Sequence, residues 1–428
     1  MRFFDIHPVN LVKALSMALE LSINGMSRHH WQTAMICKKI ADQILMSTTE
    51  QRTLVFAALL HDIGAASSWD ERQKIKQTDT FEKRSLGAHA EAGYLLLKDS
   101  PQLGYIAESI RYHHDYWCGG NKSGLQGEQI PIVSRIIHLA DRVQILIHHN
   151  QSIFAQREKI LESIDRSSGI VFDPFLVEAV HEITKAESFW LDLVNASYYE
   201  NFFKTLDVYG SVRYSSDDAI QIANIFAKII DRISKFTAHH SRSVTKTAVF
   251  LAKLEGFSED DAKRMEIAGL LHDLGKLAVP NAILEKPGKL TAEEVVIVRQ
   301  HTYYTYRILE QIDHFEIIAQ WAAYHHETLD GQGYPFRIGG KDLSLGSRIL
   351  AVADIFVALT ESRPYRESLP KQKVQDIMTN MVKQNKIDGN VLKTLFDHYD
   401  DAILLVDIRL AVKESEKFAY INSEKPTC

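Results

Sequence analysis

Apolar residues recur along this chain at helical spacing. Residues 50–60 (EQRTLVFAALL), 244–256 (VTKTAVFLAKLEG) and 348–360 (RILAVADIFVALT) place them at i, i+3, i+4 and i+7, and Val244, Ala248, Leu251 and Ala252 form one clear stripe. Sustained apolar/polar alternation, the mark of a half-buried strand, is scarce. The pattern predicts an all-α protein. Gly256, Gly275, Gly288 and Pro280 punctuate the predicted helices as C-caps and turns do. Thr291 followed by Glu294 has the spacing of a capping box. Ser216 or Asp217 is placed to cap a long helix.

The polar positions repeat. HHW at 29–31 corresponds to HHS at 239–241, LLHDIG at 59–64 to LLHDLG at 270–275, His89 to His301, YHHD at 112–115 to YHHE at 324–327, and SRIIHLADRV at 134–143 to SRILAVADIF at 347–356. The offset drifts only from 210 to 213 residues across these landmarks. A drift that small marks a tandem duplication. FDPFLVEAV (172–180) pairs with IDGNVLKTL (387–395), so the repeat runs past the last landmark. The expected division is a first domain over 1–196, a connection over 197–217 (SYYENFFKTLDVYGSVRYSSD) and a second domain over 218–428.

Composition narrows the class. Apolar residues make up 45% of the 428 residues and charged residues 24%, as in ordinary soluble globular proteins. A net charge of −6 offers no global attraction for long nucleic acid or an anionic membrane. An anionic ligand must therefore be gathered by a local cation cluster or by metal. Cys37, Cys118 and Cys428 lie far apart without a CxxC, which fits a reducing compartment. The N-terminal stretch does not read as a signal peptide, and no run approaches the length of a membrane span. A cytoplasmic protein is expected. The sequence leaves open a homodimer.

The 19 histidines cluster at the repeated landmarks. In the second copy the candidates are His240, His272, Asp273, His301, His325, His326 and Asp354. Imidazole and carboxylate donors suit Fe, Mn or Zn, and the lack of cysteine argues against a structural zinc. The principal landmarks are 24 to 32 residues apart, which puts each on its own helix. Metal sites inside helical bundles are built this way. A pair of ions about 4 Å apart can activate water and stabilise the leaving oxygen of an in-line displacement.

These residues resemble the HD superfamily of metal-dependent phosphohydrolases, and the second copy resembles its HD-GYP branch. The resemblance is carried by HDLGK (272–276), AVP (278–280), ILEKPGKLTAEE (283–294), HHETLDGQGYP (325–335) and ADIFVALTESRPYR (353–366), and it covers roughly 220–395. It implies hydrolysis of a cyclic dinucleotide, cyclic di-GMP or 3′3′-cyclic GMP–AMP, to the linear form. Carried over by position, the seven candidates become metal ligands, with Asp273 bridging two Fe or Mn ions and, with Lys276, serving catalysis. Lys276, Gly333, Tyr334, Pro335, Arg363 and Arg366 would contact substrate. Guanidinium forks suit phosphate oxygens, and an aromatic face such as Tyr334 suits a base. Phe236 stands where some relatives carry a Glu and a third metal, so two ions are expected. Val357 stands where the family commonly has a second Asp.

The first copy keeps a complete cage: His30, His61, Asp62, His89, His113, His114 and Asp141. It has Ala65 in place of Lys276, DYWCGGNKSGLQG (115–127) in place of the GYP stretch, and IHHNQSIF (147–154) in place of RPYR. The expectation is a further metal site with a different substrate or a sensing role. His29 and His239 are expected to point away from the sites. Lys74, Lys76, Lys83 and Arg84 read as a solvated charged loop that could steer an anion. The competing class is a cyclic dinucleotide receptor without turnover.

Overall fold

The computed structural model describes residues 6–22, 28–67, 87–148, 150–211, 213–233, 240–361 and 368–406. Every regular element among the described residues is helical, with two isolated bridge pairs and no strand. The all-α expectation holds. The chain divides into two compact units, one built almost wholly from residues up to Ser215 and the other from Ser216 onward. Among the described residues no helix is long and apolar enough to cross a membrane.

The two units repeat the same helix order. The first runs through Pro8–Ser22, His29–Gln43, Thr48–Leu60, Gly87–Leu97, Ala107–Arg111 and Ile132–Ile145. The second runs through Ser216–Ile233, His240–Leu254, Glu259–Leu271, Ala292–Leu309, Glu316–Ala323 and Leu345–Thr360. Helix starts follow their local chemistry. Ser47 and Ser258 each accept a backbone N–H three residues on, and Thr291 and Glu294 form the expected capping box. Ser216 and Asp217 lie inside the first turn of their helix, where Asp217 pairs with Lys263 at 2.7 Å. Leu54 to Leu60 are all fully buried, so the helix that delivers His61 is held in the core along its whole second half.

The stretch 197–217, expected to be a connection, is largely built into the first unit. It forms short helical segments through Ser211. Tyr199, Phe203, Leu206 and Tyr209 are buried, Trp31 packs edge-on against Tyr199 and Phe203, and the Tyr209 hydroxyl donates to Gln51 Oε1 at 2.9 Å. The aromatic density of SYYENFFKTLDVY was the sequence signal for this packing.

Candidate metal centres

In the second unit the seven candidates arrive on five successive elements. His240 opens its helix, His272 and Asp273 follow directly on Glu259–Leu271, His301 lies within Ala292–Leu309, His325 and His326 follow Glu316–Ala323, and Asp354 lies within Leu345–Thr360. His272, His301 and His325 share one geometry. Each directs Nδ1 at the carbonyl three residues earlier: Gly269 at 2.7 Å, Val298 at 2.7 Å and Ala322 at 2.6 Å. An Nδ1–H donated to a carbonyl leaves the lone pair on Nε2. All three Nε2 atoms are buried without a hydrogen-bond partner among the described residues. Buried orphan acceptors cost free energy. A shared cation removes that cost, so the donor set fits a metal.

The ligand atoms form two groups, His240 with His272 and Asp273, and His301 with His325 and His326, each within 4.8 Å. The two Asp273 oxygens face different histidines: Oδ2 is 3.2 Å from His272 Nε2 and Oδ1 is 3.4 Å from His301 Nε2. A carboxylate so divided can serve two ions. Asp354 Oδ1 sits 3.0 Å from His240 Nε2. Burial dominates the ring equilibria, holding His301 down at about 3 and pushing His325 and His326 below the usual imidazole range. Neutral rings are what a cation needs. Burial also disfavours charge on His240, but hydrogen bonds to Asp354 and Glu361 outweigh it and hold that ring up at about 9. Burial opposes ionisation of Asp273 too, yet His272, Lys276 and His301 keep it well below the carboxylate range.

Supporting residues lie behind this set. Glu361 Oε2, 3.3 Å from His240 Nδ1, fills the orienting role that carbonyls fill elsewhere. Glu327 accepts backbone N–H bonds from Phe336 (2.6 Å), Arg337 (3.0 Å) and Ile338 (3.1 Å), clamping the loop that follows Tyr334 and Pro335. Tyr334 donates its backbone N–H to the His326 carbonyl, and its ring tilts against that imidazole at 4.9 Å between centroids. The Arg299 guanidinium lies 5.0 Å from the centre of the Tyr334 ring. Gly333 lies so close to its neighbours that a Cβ there would fall 2.4 Å from Glu327 Cα. The Lys276 ammonium contacts Asp273 Oδ2 at 2.5 Å. Arg363 and Arg366 lie outside the described residues, as do Phe236, His239, Lys74, Lys76, Lys83 and Arg84.

The first unit reproduces the design. His61 and His113 direct Nδ1 at Ala58 O (2.7 Å) and Ile110 O (2.6 Å). Asp62 Oδ2 is 3.3 Å from His61 Nε2, and Oδ1 is 3.3 Å from His89 Nε2. His89, His113 and His114 form one group and His29, His30, His61 and Asp62 the other. His29 is a correction: it turns inward. Its Nε2 lies 3.4 Å from both Asp62 Oδ2 and Asp141 Oδ1, nearer than His30 Nε2, which is 3.7 Å from Asp62. Its Nδ1 pairs with Gln144 Oε1 at 2.5 Å, and Gln144 donates to Gln32, which donates to Leu193 O. Two adjacent imidazoles can both face a site where they open a helix, and Gln144 in place of Val357 was the available signal.

The two copies match two family models, each described as HD domain, over residues 26–146 and 224–391. The chain is similar to 3′3′-cGAMP-specific phosphodiesterase 1 of Vibrio cholerae, with 31% identity over 82% of this chain and 83% of that protein. It is 33% identical to 3′3′-cGAMP-specific phosphodiesterase 3 of the same organism, over 81% of this chain and 76% of that protein. A crystal structure of a cyclic GMP–AMP specific phosphodiesterase from V. cholerae matches with a TM-score of 0.67 and 27% identity, covering 92% of this chain and 98% of that one.

Proposed function

The chain belongs to the HD-GYP family of cyclic dinucleotide phosphodiesterases, and from that membership we propose that its second copy opens 3′3′-cyclic GMP–AMP, in preference to cyclic di-GMP, to the linear dinucleotide. It is a metal-dependent phosphoric diester hydrolase. The observation that carries the site assignment is that His272 and His301 Nε2, buried without a hydrogen-bond partner among the described residues, face the two oxygens of Asp273. The preference for the mixed dinucleotide rests on the two relatives matched across both copies.

Two Fe or Mn ions held by His240, His272, Asp273, His301, His325, His326 and Asp354 would supply Lewis-acid polarisation and an activated water. The protein's own groups then position and neutralise. Lys276 stands against Asp273 and is placed to meet a phosphoryl oxygen carrying developing charge. Tyr334, held by its backbone bond to His326, borders the substrate. Arg363 and Arg366 take the phosphates. The first copy, on this reading, binds metal through His30, His61, Asp62, His89, His113, His114 and Asp141, with His29 added, and acts on the terminal phosphate of the linear product.

The test is turnover of a cyclic dinucleotide panel by Mn²⁺- or Fe²⁺-loaded protein, with products separated by chromatography. Linear dinucleotide should accumulate from 3′3′-cyclic GMP–AMP fastest, and His272→Ala should abolish it. Binding without turnover in metal-replete, reducing buffer would replace the enzyme by a receptor. Equal rates on cyclic di-GMP would remove the substrate preference.

A further inference from the structure

The first copy lacks the lysine of HDLGK, yet it carries a buried cation of its own. Arg142 follows Asp141 directly, and its side chain is 6% exposed. Its Nε lies 3.4 Å from Asp141 Oδ2 and has no hydrogen-bond partner among the described residues. A buried guanidinium is costly unless its charge and its planar fork of donors are both met. Asp141 meets them poorly, because its other oxygen already faces His29 at 3.4 Å. With Asp141 engaged in a metal cage, still less of its charge is free for Arg142.

The surroundings of Arg142 are specific to this copy. The same offset puts Ile355 at the equivalent place in the second copy, while Ala65 stands for Lys276. Among the described residues each copy therefore sets a cation against its cage, but on different carboxylates: Lys276 on Asp273, Arg142 on Asp141. The charge of Arg142 also reaches His114, His138 and Tyr116, whose rings pack in sequence at 5.6 and 5.9 Å. His138 is oriented by its Nδ1 bond to Asp115 O at 3.1 Å, and Ala351 takes its place in the second copy.

We propose that Arg142 makes the first copy a binding site for a terminal phosphate dianion, with the guanidinium taking phosphate oxygens beside the metal cage. The inference rests on the reading that this copy binds metal. A guanidinium fork holds two oxygens of one phosphate at once, and a dianionic monoester presents more such oxygens and more charge than the diester handled by the second copy. Arg142 is a substrate-binding residue on this account, and its place beside Asp141 orients the phosphate toward the cage.

The experiment uses the full chain with the second site disabled by His272→Ala and Asp273→Ala. After Mn²⁺ loading, metal content is measured by elemental analysis and inorganic phosphate is titrated calorimetrically. Metal should be present, phosphate should bind, and Arg142→Met should weaken binding at least tenfold with metal content unchanged. Arg142→Lys, which keeps the charge but loses the fork, should weaken it several-fold. If Arg142→Met does not fold, Arg142→Lys decides alone. Absence of metal before phosphate is added would overturn the underlying reading and the proposal with it. Metal without phosphate binding, or phosphate affinity indifferent to both substitutions, would overturn the proposal only.

Discussion

At the scale of single residues, the imidazoles and carboxylates that cluster in each copy were legible and the groups that orient them were not. His272, Asp273 and their partners announce themselves because few other roles ask for imidazole and carboxylate at five repeated places. Glu361 and Glu327 carry no such mark, since an isolated glutamate is usually a solvated charge. Their importance appears only when Glu361 is found on His240 Nδ1 and Glu327 beneath three backbone amides. His29 was read wrongly because neighbouring helical side chains usually diverge. Glu327 gives a clear prediction. Glu327→Gln replaces charge-assisted bonds with neutral ones and leaves at least one amide poorly paired, a loss of about 1.5–3 kcal/mol for bonds to a charged group. The loop carrying Tyr334 should loosen while the ligands stay in place. Steady-state kinetics should show KM for the cyclic dinucleotide rising several-fold, with metal content unchanged. Loss of metal with unchanged KM would place Glu327 in the cage's support instead.

At the scale of elements, the helices followed from periodicity and caps, whereas their mutual fit did not. Gly275 was expected only to end a helix. In the structure a Cβ there would lie 2.0 Å from His301 O, and the Gly275 N–H donates to Thr305 Oγ1, whose own hydroxyl donates to His272 O. Gly64 repeats the close approach, 2.0 Å from His89 O. The glycine thus lets the HD turn rest on the helix bearing His301. Gly275→Ala forces backbones apart, and overpacking of this kind costs about 1–3 kcal/mol. A lowered melting temperature and lost metal in the second copy are expected. Retention of both would mean the turn has room to move.

A second pair of equivalent carboxylates differs in residue type between the copies. Glu20 near the end of its helix accepts the Arg28 N–H at 2.5 Å, and Asp231, at the same offset, accepts from Ser241. Each carboxylate sits at the N-terminus of the helix carrying His30 or His240, where the helix end favours negative charge. The change from Glu to Asp hid the correspondence. Burial nevertheless pushes the Glu20 carboxyl up from 4.5 to about 7. A carboxyl raised on folding supports the fold fully only below its unfolded value, and that support is lost as pH rises through the folded value. Glu20→Gln cannot ionise. The stability of Glu20→Gln relative to the wild type should therefore rise between about pH 5 and pH 8, measured as the difference in melting temperature of metal-free protein. A difference that stays flat across that range would contradict the assignment.

At the scale of the whole molecule, the duplication has kept the cages and changed what stands beside them. Copies freed from metal binding have no reason to hold unpartnered imidazoles in their cores, because buried polar groups without partners are destabilising. Among the described residues both copies hold them: His113 Nε2 and both His30 nitrogens in the first, and His272, His301 and His325 Nε2 in the second. On the proposed reading each cluster holds metal, and the two centres should be separable. Asp62→Ala removes the carboxylate divided between His61 and His89, and Asp273→Ala removes its counterpart. Each substitution should lower the metal content of the reconstituted chain by one copy's share. Only Asp273→Ala should stop the opening of the cyclic dinucleotide, because the GYP loop and Lys276 exist on that side alone. Chelation should silence the wild type, and readdition of Mn²⁺ should restore activity to Asp62→Ala and not to Asp273→Ala. An Asp62→Ala protein with the full metal content of the wild type would show that the first cage is a relic of the fold, and the division of labour between the copies would fall with it.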